Sequence, residues 1–366
     1  MDFQDVRFEQ KSVKEVFVEM KKVSELMVDL AYTSFFNNDK VLAGEVLELE
    51  EKIDRLEYDA RMSTMLSVRN VKDAENISPI MAVLGAIEDI GDGAGDIAKS
   101  VLEGEEIPLV IRDVVSTGLQ HIISIKADKH GFENKYLGDI FGEDVEILTV
   151  QRNGEWVVNP VFKKVLENDV IVVKGSQTEL NEYISETVAP EKKDTSKEFE
   201  ELIDLLIRMK GLCELSLELS FNAVISNDEF IAEEVVRLEE TIDSMLSKIQ
   251  ELVLINANTF DNPRCLKSVL TLSFALEIIT DASLEISEVV LRGMHVHPVF
   301  HDAIKEVGGF IVRREAEKTD VLSKFVKDNE SVLAVKKSDY EGKKWELSPE
   351  KDFLVDKGDL IILKPR

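Results

Sequence analysis

The chain has 366 residues, 44% of them apolar, with 44 basic against 72 acidic side chains and a net charge of −28. Charge this negative repels phosphate backbones and anionic headgroups, which argues against nucleic acid and an anionic membrane surface as partners and fits cation partners, a salt-rich cytoplasm or general solubility. The length allows two to four domains of ordinary globular composition.

Two cysteines, Cys213 and Cys265, lie far apart in apolar surroundings, without disulfide or zinc spacing, and are expected to be buried thiols. The first residues, MDFQDVRFEQKS, contain no apolar signal region. No segment reaches the roughly 18–20 apolar residues of a membrane span. A soluble, cytoplasmic protein is the expectation.

Residues 11–103 predict three long helices. Val13, Phe17, Met20, Ser24, Met27 and Ala31 recur at steps of three and four, as do Leu42, Val46, Leu49, Ile53 and Leu56, then Ile80, Leu84, Ile87, Gly91 and Ala94. Asn37–Asn38–Asp39 separates the first two helices, Asn76–Pro79 is placed near the start of the third, and Gly104 ends it. Short joins make this an antiparallel bundle.

Each helix carries an acidic i,i+4 pair: Glu25 and Asp29, Glu50 and Asp54, Glu88 and Asp92. The four-residue step puts each pair on one helix face, at the flank of the apolar stripe. The third helix, IEDIGDGAGDI over 87–97, adds Asp96 to the ladder and holds Gly91, Gly93 and Gly95. Each glycine costs roughly 1 kcal/mol against alanine, which a helix accepts where a backbone or ligand must come close. Oxygen-only ligands converging from three helices suit a divalent cation or a polynuclear iron site. The competing reading is a solvated acidic face.

From Glu105 the period changes. Residues 108–118 predict a short helix, 121–127 a strand, 135–141 a short helix, 146–152 and 155–158 a hairpin across Asn153–Gly154, and 169–174 a buried strand. A polar linker, 190–197, follows.

The plan then repeats. Asn227–Asp228 matches Asn38–Asp39 and Gly293 matches Gly104 at an offset of 189, with helices expected over 197–226, 229–257 and 262–292. The acidic set recurs at that offset as Glu214 and Glu218, Glu239 and Asp243, Glu277 and Asp281. The α/β module recurs too: SVLAVKK over 331–337 matches EILTVQR over 146–152, and DLIILK over 359–364 matches DVIVVK over 169–174. His295, His297 and His301 invite a metal reading, but they join a helix end to the next module and read better as a hinge. No nucleophile–base set or catalytic carboxylate pair stands out, and no enzyme is expected.

The bundles, with E-x-x-x-D on each helix and IEDIGDGAGDIA in the third, resemble PhoU domains. The α/β modules, with VQRNGEWVVNP and ENDVIVVKG, resemble the TrkA-C domain, the C-terminal half of RCK regulatory subunits of potassium channels and transporters. The fold class is therefore α+β and multidomain. It comprises a PhoU-like bundle over 1–104, a TrkA-C-like module over 105–189, a second bundle over 190–294 and a second module over 295–366.

The PhoU resemblance implies a regulator of phosphate uptake whose E-x-x-x-D carboxylates hold an iron, zinc or other metal cluster. The twelve acidic residues named above are the ligands it implies, with Glu218 standing where the pattern has Asp. The TrkA-C resemblance implies pairing into dimers and sensing of a small nucleotide effector such as cyclic di-AMP, with Asn134, Leu137, Arg152 and Asn153 in the corresponding region. In the second copy that region holds Lys324, Lys336 and Lys337. No G-x-G-x-x-G follows a strand, so a dinucleotide site is not expected. Together the resemblances imply a non-enzymatic regulator, a homodimer that docks to a membrane ion transporter or channel subunit and controls potassium or other cation transport; the alternative is a metal-binding regulator of phosphate uptake.

Overall fold

The computed structural model describes residues 12–105, 107–108, 121–141, 145–152, 155–157, 163–175, 180, 183, 197–259, 263–294, 311–327, 330–338, 345–347 and 349–365. Six long helices form its body: α1 (Val13–Asn37), α2 (Lys40–Ser67), α3 (Val71–Leu102), α4 (Lys197–Ser226), α5 (Glu229–Asn256) and α6 (Leu266–Leu291). The expected 108–118 helix, the 190–196 linker and the three histidines lie outside the described residues.

The α1–α2 corner shows why the Asn-Asp pair recurs. Asn38 takes the left-handed conformation (φ 52°), which asparagine tolerates, and ends α1. Asp39 then caps α2, its carboxylate accepting from the Val41 and Leu42 amides at 2.9 and 3.1 Å. In the second copy Asn227 has φ 50° and Asp228 accepts from the Ile231 amide at 3.2 Å.

The third helix starts earlier than its proline suggests. Asn70 accepts from the Asp73 amide and caps α3, which runs on through a buried Pro79. The ring removes one hydrogen bond there. In the second copy a 3₁₀ turn, Pro263–Cys265, leads into α6 instead. Both third helices end at a glycine of positive φ, Gly104 and Gly293, as the sequence predicts.

The two bundles share one core. Met27, Leu30, Ile53, Leu84, Ile87 and Ile90 of the first half are packed in a single buried cluster with Phe221, Ile242, Leu276 and Ile279 of the second. The seam is α3 against α6. A Cβ at Gly93 would stand 2.8 Å from Ile279 Cγ1 and 3.2 Å from the Ala275 carbonyl oxygen. The two helices run antiparallel, because Glu105 at the end of α3 accepts from Thr271, and pairs with Lys267, near the start of α6. Reciprocal contacts mark a pseudo-twofold axis: Lys21 lies over the Phe221 ring and Lys210 over the Tyr32 ring, at 5.0 and 4.8 Å. Of the cysteines, Cys213 is buried as expected beneath Tyr32, but Cys265 is half-buried at the start of α6.

Each module is a four-stranded antiparallel sheet. The first has order β1-β4-β2-β3, from β1 (His121–Lys126), β2 (Glu146–Arg152), β3 (Glu155–Val157) and β4 (Val170–Gly175). The second has order β5-β10-β7-β8, from β5 (Val312–Glu315), β7 (Glu330–Lys336), β8 (Trp345–Leu347) and β10 (Leu360–Pro365); β6 (Asp320–Val321) and β9 (Leu354–Val355) pair beside it.

Alternation along each strand gives the sheet two buried faces. Val172 of β4, with Ala334, Ile362 and Trp345 of the second sheet, joins the helical core. Ile171 and Val173 pack instead with Leu137 and Phe141, and Ile361 and Leu363 with Leu322 and Val355. The helix expected over 135–141 is only a 3₁₀ turn, Leu137–Asp139.

Glycine substitutions should separate the seam from open helix surface. Gly44 in α2 has nothing within 4 Å of its added Cβ, so Gly44→Ala should gain about 0.5–1 kcal/mol in denaturant unfolding. Gly93→Val should lose about 1–3 kcal/mol by overpacking α3 against α6.

Candidate metal centre

The predicted acidic pairs divide into two environments. Those of α1 and α4 do not join the others. Glu25 pairs with Lys21 at 2.5 Å and Asp29 with Lys174 of β4 at 3.1 Å. Their counterparts repeat the arrangement: Glu214 with Lys210 at 2.5 Å and Glu218 with Lys364 of β10 at 3.2 Å. Burial alone pushes the Glu214 and Glu218 carboxyls up, but the facing lysines prevail and hold both below the ordinary value. These four carboxylates carry their own counter-cations and tie α1 and α4 to the sheets. Sequence spacing could not see this, because Lys174 and Lys364 come from strands far along the chain.

The remaining eight form two ladders, one on α2 and α3 and one on α5 and α6. In the first, Glu50 and Asp54 face Glu88 and Asp92, and Glu57 and Asp89 add to the same field. Burial pushes the Glu88 carboxyl up to about 7, reinforced by Asp92, Glu57, Asp89 and Asp54. Burial also raises Glu57, opposed by Arg61. Glu57 and Asp89 were absent from the predicted set; both lie one turn or less from a predicted member, at Asp54+3 and Glu88+1.

A cation already touches this ladder. Lys99 Nζ lies 3.0 Å from Glu50 Oε1 and 3.5 Å from Asp96 Oδ1. Gly95 makes room for the Glu50 carboxylate, because a Cβ there would stand 2.4 Å from Glu50 Oε2. Burial raises the Glu50 carboxyl, with Lys99 opposing and Asp92 and Asp54 reinforcing.

Among the described residues no lysine is paired with Glu239, Asp243 or Asp281 of the second ladder. Glu239, Asp243 and Asp281 each offer an oxygen, all within 4.8 Å of one another, and among the described residues this is the one group gathered closely enough to hold a metal ion. Burial, then Asp243 and Asp281, raises the Glu239 carboxyl. Glu277 and Asp281 are raised too, first by burial and then by their acidic neighbours. Three oxygen donors at the edge of a helix pair, two of them (Glu239 and Asp281) raised first by burial and then by acidic neighbours, fit a hard divalent cation that would relieve the repulsion.

In the first α/β module the positions implied as ligand contacts are taken up in the fold. Leu137 is fully buried in the module core. Arg152 donates to both oxygens of Asp169, at 2.9 and 2.7 Å, and to the Lys164 carbonyl. Asn134 turns the backbone (φ 65°), its amide donating to the Val165 carbonyl; Asn153 lies outside the described residues. In the second module Lys337 repeats the Arg152 role on the buried Asp359 at 2.7 Å, and Lys336 binds both oxygens of Glu234 on α5. The chemistry of these cations is that of fold-locking ion pairs.

Residues 17–101 and 206–290 match the PhoU domain family. The two bundles are tandem PhoU-like domains. The matched segments hold all twelve predicted acidic positions. Similar solved structures include PhoU from Pseudomonas aeruginosa, at 15% identity over 77% of this chain and 96% of that one (TM-score 0.43). Another is the phosphate transport system regulatory protein PhoU from Streptococcus pneumoniae, at 12% identity over 76% and 91% (TM-score 0.42). No curated protein matches the chain. No described helix is long and apolar enough to cross a membrane.

The raised Glu88 carboxyl makes stability in these PhoU-like bundles depend on pH. A folded pKa of about 7 against an ordinary 4.5 means that the folded state holds the proton more tightly. Its stabilising contribution is full below about 4.5 and is lost as pH rises through about 7. With chelator present, thermal unfolding of the wild type should therefore show a falling Tm from about pH 5 to 8. Glu88→Gln should flatten part of that fall; an unchanged slope would place the proton elsewhere.

Proposed function

We propose that this protein is a non-enzymatic regulator of a membrane phosphate-transport system, and that it binds a divalent cation on the α5–α6 ladder of its second PhoU-like bundle. The observation that carries the reading is the gathering of Glu239, Asp243 and Asp281 oxygens within 4.8 Å inside a PhoU-matched segment. Unlike the α1 and α4 carboxylates, these have no lysine among the partners described for them. A cation held there draws α5 and α6 together and presents an exposed positive centre on an otherwise acidic face. That centre is suited to bridge to phosphate or to a transporter subunit.

The ties between the two sheets and the helices support a transmitting role. Lys174 and Lys364 fasten one strand of each sheet to α1 and α4, so a shift between helices moves the sheets as well. A ligand that favours one arrangement over the other biases this equilibrium by its difference in affinity. Potassium-transport control and a cyclic di-AMP effector have no comparable support, since Leu137 and Arg152 are engaged in the module's own core and ion pair.

Manganese titration of the full chain tests the cation. Binding should strengthen as pH rises from about 5 to 8, because metal and protons compete for the same carboxylates. Asp243→Asn with Asp281→Asn should weaken it by roughly tenfold or more. In cells deprived of the protein, phosphate uptake should be restored by the wild type and not by this double variant; equal rescue by both would separate the regulation from the cation.

A further inference from the structure

The two ladders keep the same carboxylate register, yet their surroundings have diverged at two positions. At the offset of 189, Glu50, Asp54, Glu88 and Asp92 correspond to Glu239, Asp243, Glu277 and Asp281. Gly95 corresponds to Leu284, and Lys99 to Glu288. Both changes act on one carboxylate. Gly95 lets the Glu50 side chain lie against the α3 backbone, and Lys99 holds it there together with Asp96. In the second bundle a leucine, Leu284, stands at the position of Gly95, and Glu288 pairs with Arg292. Glu239, free of that hold, gathers with Asp243 and Asp281.

We propose that Lys99 is a tethered cation that takes the metal's place on the first ladder, so that this chain carries one divalent-cation site rather than two. The proposal rests on the cation-binding reading above and adds a specificity residue to it. The observation behind it is direct: an ammonium group already sits on the carboxylate that corresponds to a member of the second cluster. A divalent ion arriving at the first ladder meets a like charge a few ångströms away and must break the Lys99–Glu50 pair before Glu50 can turn inward. The second ladder offers the same oxygens with a carboxylate, not an ammonium, at the matching position. Among the described residues no lysine or arginine is paired with Glu239, Asp243 or Asp281, so an external cation would relieve their charge.

The test is manganese binding by equilibrium dialysis to the full chain, with thermal unfolding as a check on folding. The wild type should take up one tight equivalent, lost in the Asp243→Asn, Asp281→Asn variant. Lys99→Met should add a second equivalent by raising the affinity of the first ladder roughly tenfold or more. Lys99→Arg, which keeps the charge, should leave the count at one, and Lys99→Gln serves should the methionine variant fold poorly. Glu288→Lys should remove the wild-type equivalent. A wild type that binds no manganese overturns the cation reading itself. Two equal equivalents in the wild type, or a Lys99→Met variant that still binds one, leave that reading standing and overturn the role of Lys99.

Discussion

The close approach of α3 and α6 is the contact on which the rest of the molecule depends. It requires a residue without a side chain at 93, where the Ile279 side chain and the Ala275 carbonyl occupy the space a Cβ would take. That approach fuses two three-helix bundles into one core and fixes the axis that relates them. Once the axis is set, the Lys21–Phe221 and Lys210–Tyr32 contacts fall into place as a reciprocal pair, and the two sheets find equivalent seats on α1 and α4. The helix-propensity cost of a glycine is offset by the apolar surface that the seam removes from water.

Within this frame the acidic residues do two different jobs. Carboxylates on α1 and α4 are matched one to one by lysines, two of which reach across from β4 and β10, and these pairs fasten module to bundle. Exposed pairs of this kind contribute little to stability, but partial burial and repetition across the axis let them set orientation. On the outer edge of α2–α3 and α5–α6 the Glu88 and Glu239 carboxyls are raised first by burial and then by their acidic neighbours. On the proposed reading, a cation bound at such an edge would be favoured by the repulsion it relieves.

Much of the fold was legible in the sequence because its signals are local. The Asn-Asp corners at 38–39 and 227–228, the terminal Gly104 and Gly293, and the 189-residue register all rest on short-range rules of capping and periodicity. Pro79 misled because a good cap at Asn70 outweighs one missing hydrogen bond inside a long helix. The site was legible only in part. Spacing put Glu50, Asp54, Glu88 and Asp92 on facing edges of α2 and α3, where they lie within one another's electrostatic reach, but it could not show that Glu25 and Asp29 pair with lysines instead, one of which is supplied by tertiary structure. Nor could it show that Lys99 reaches back to Glu50, a contact between helices 49 residues apart in sequence.

The pseudo-twofold axis has a further consequence for how such a molecule can change. In an assembly of two identical subunits every substitution is made twice, once on each side of the axis. A lysine on one ladder would then be a lysine on both, and a glycine at the seam would face its own copy's glycine register. Joining the two halves in one chain lifts that restriction. Gly93 is free to have Ala282 as its symmetry mate, and Lys99 to have Glu288. The fused protein keeps the packing of a symmetric pair while behaving, at its two edges, as a pair of unlike subunits.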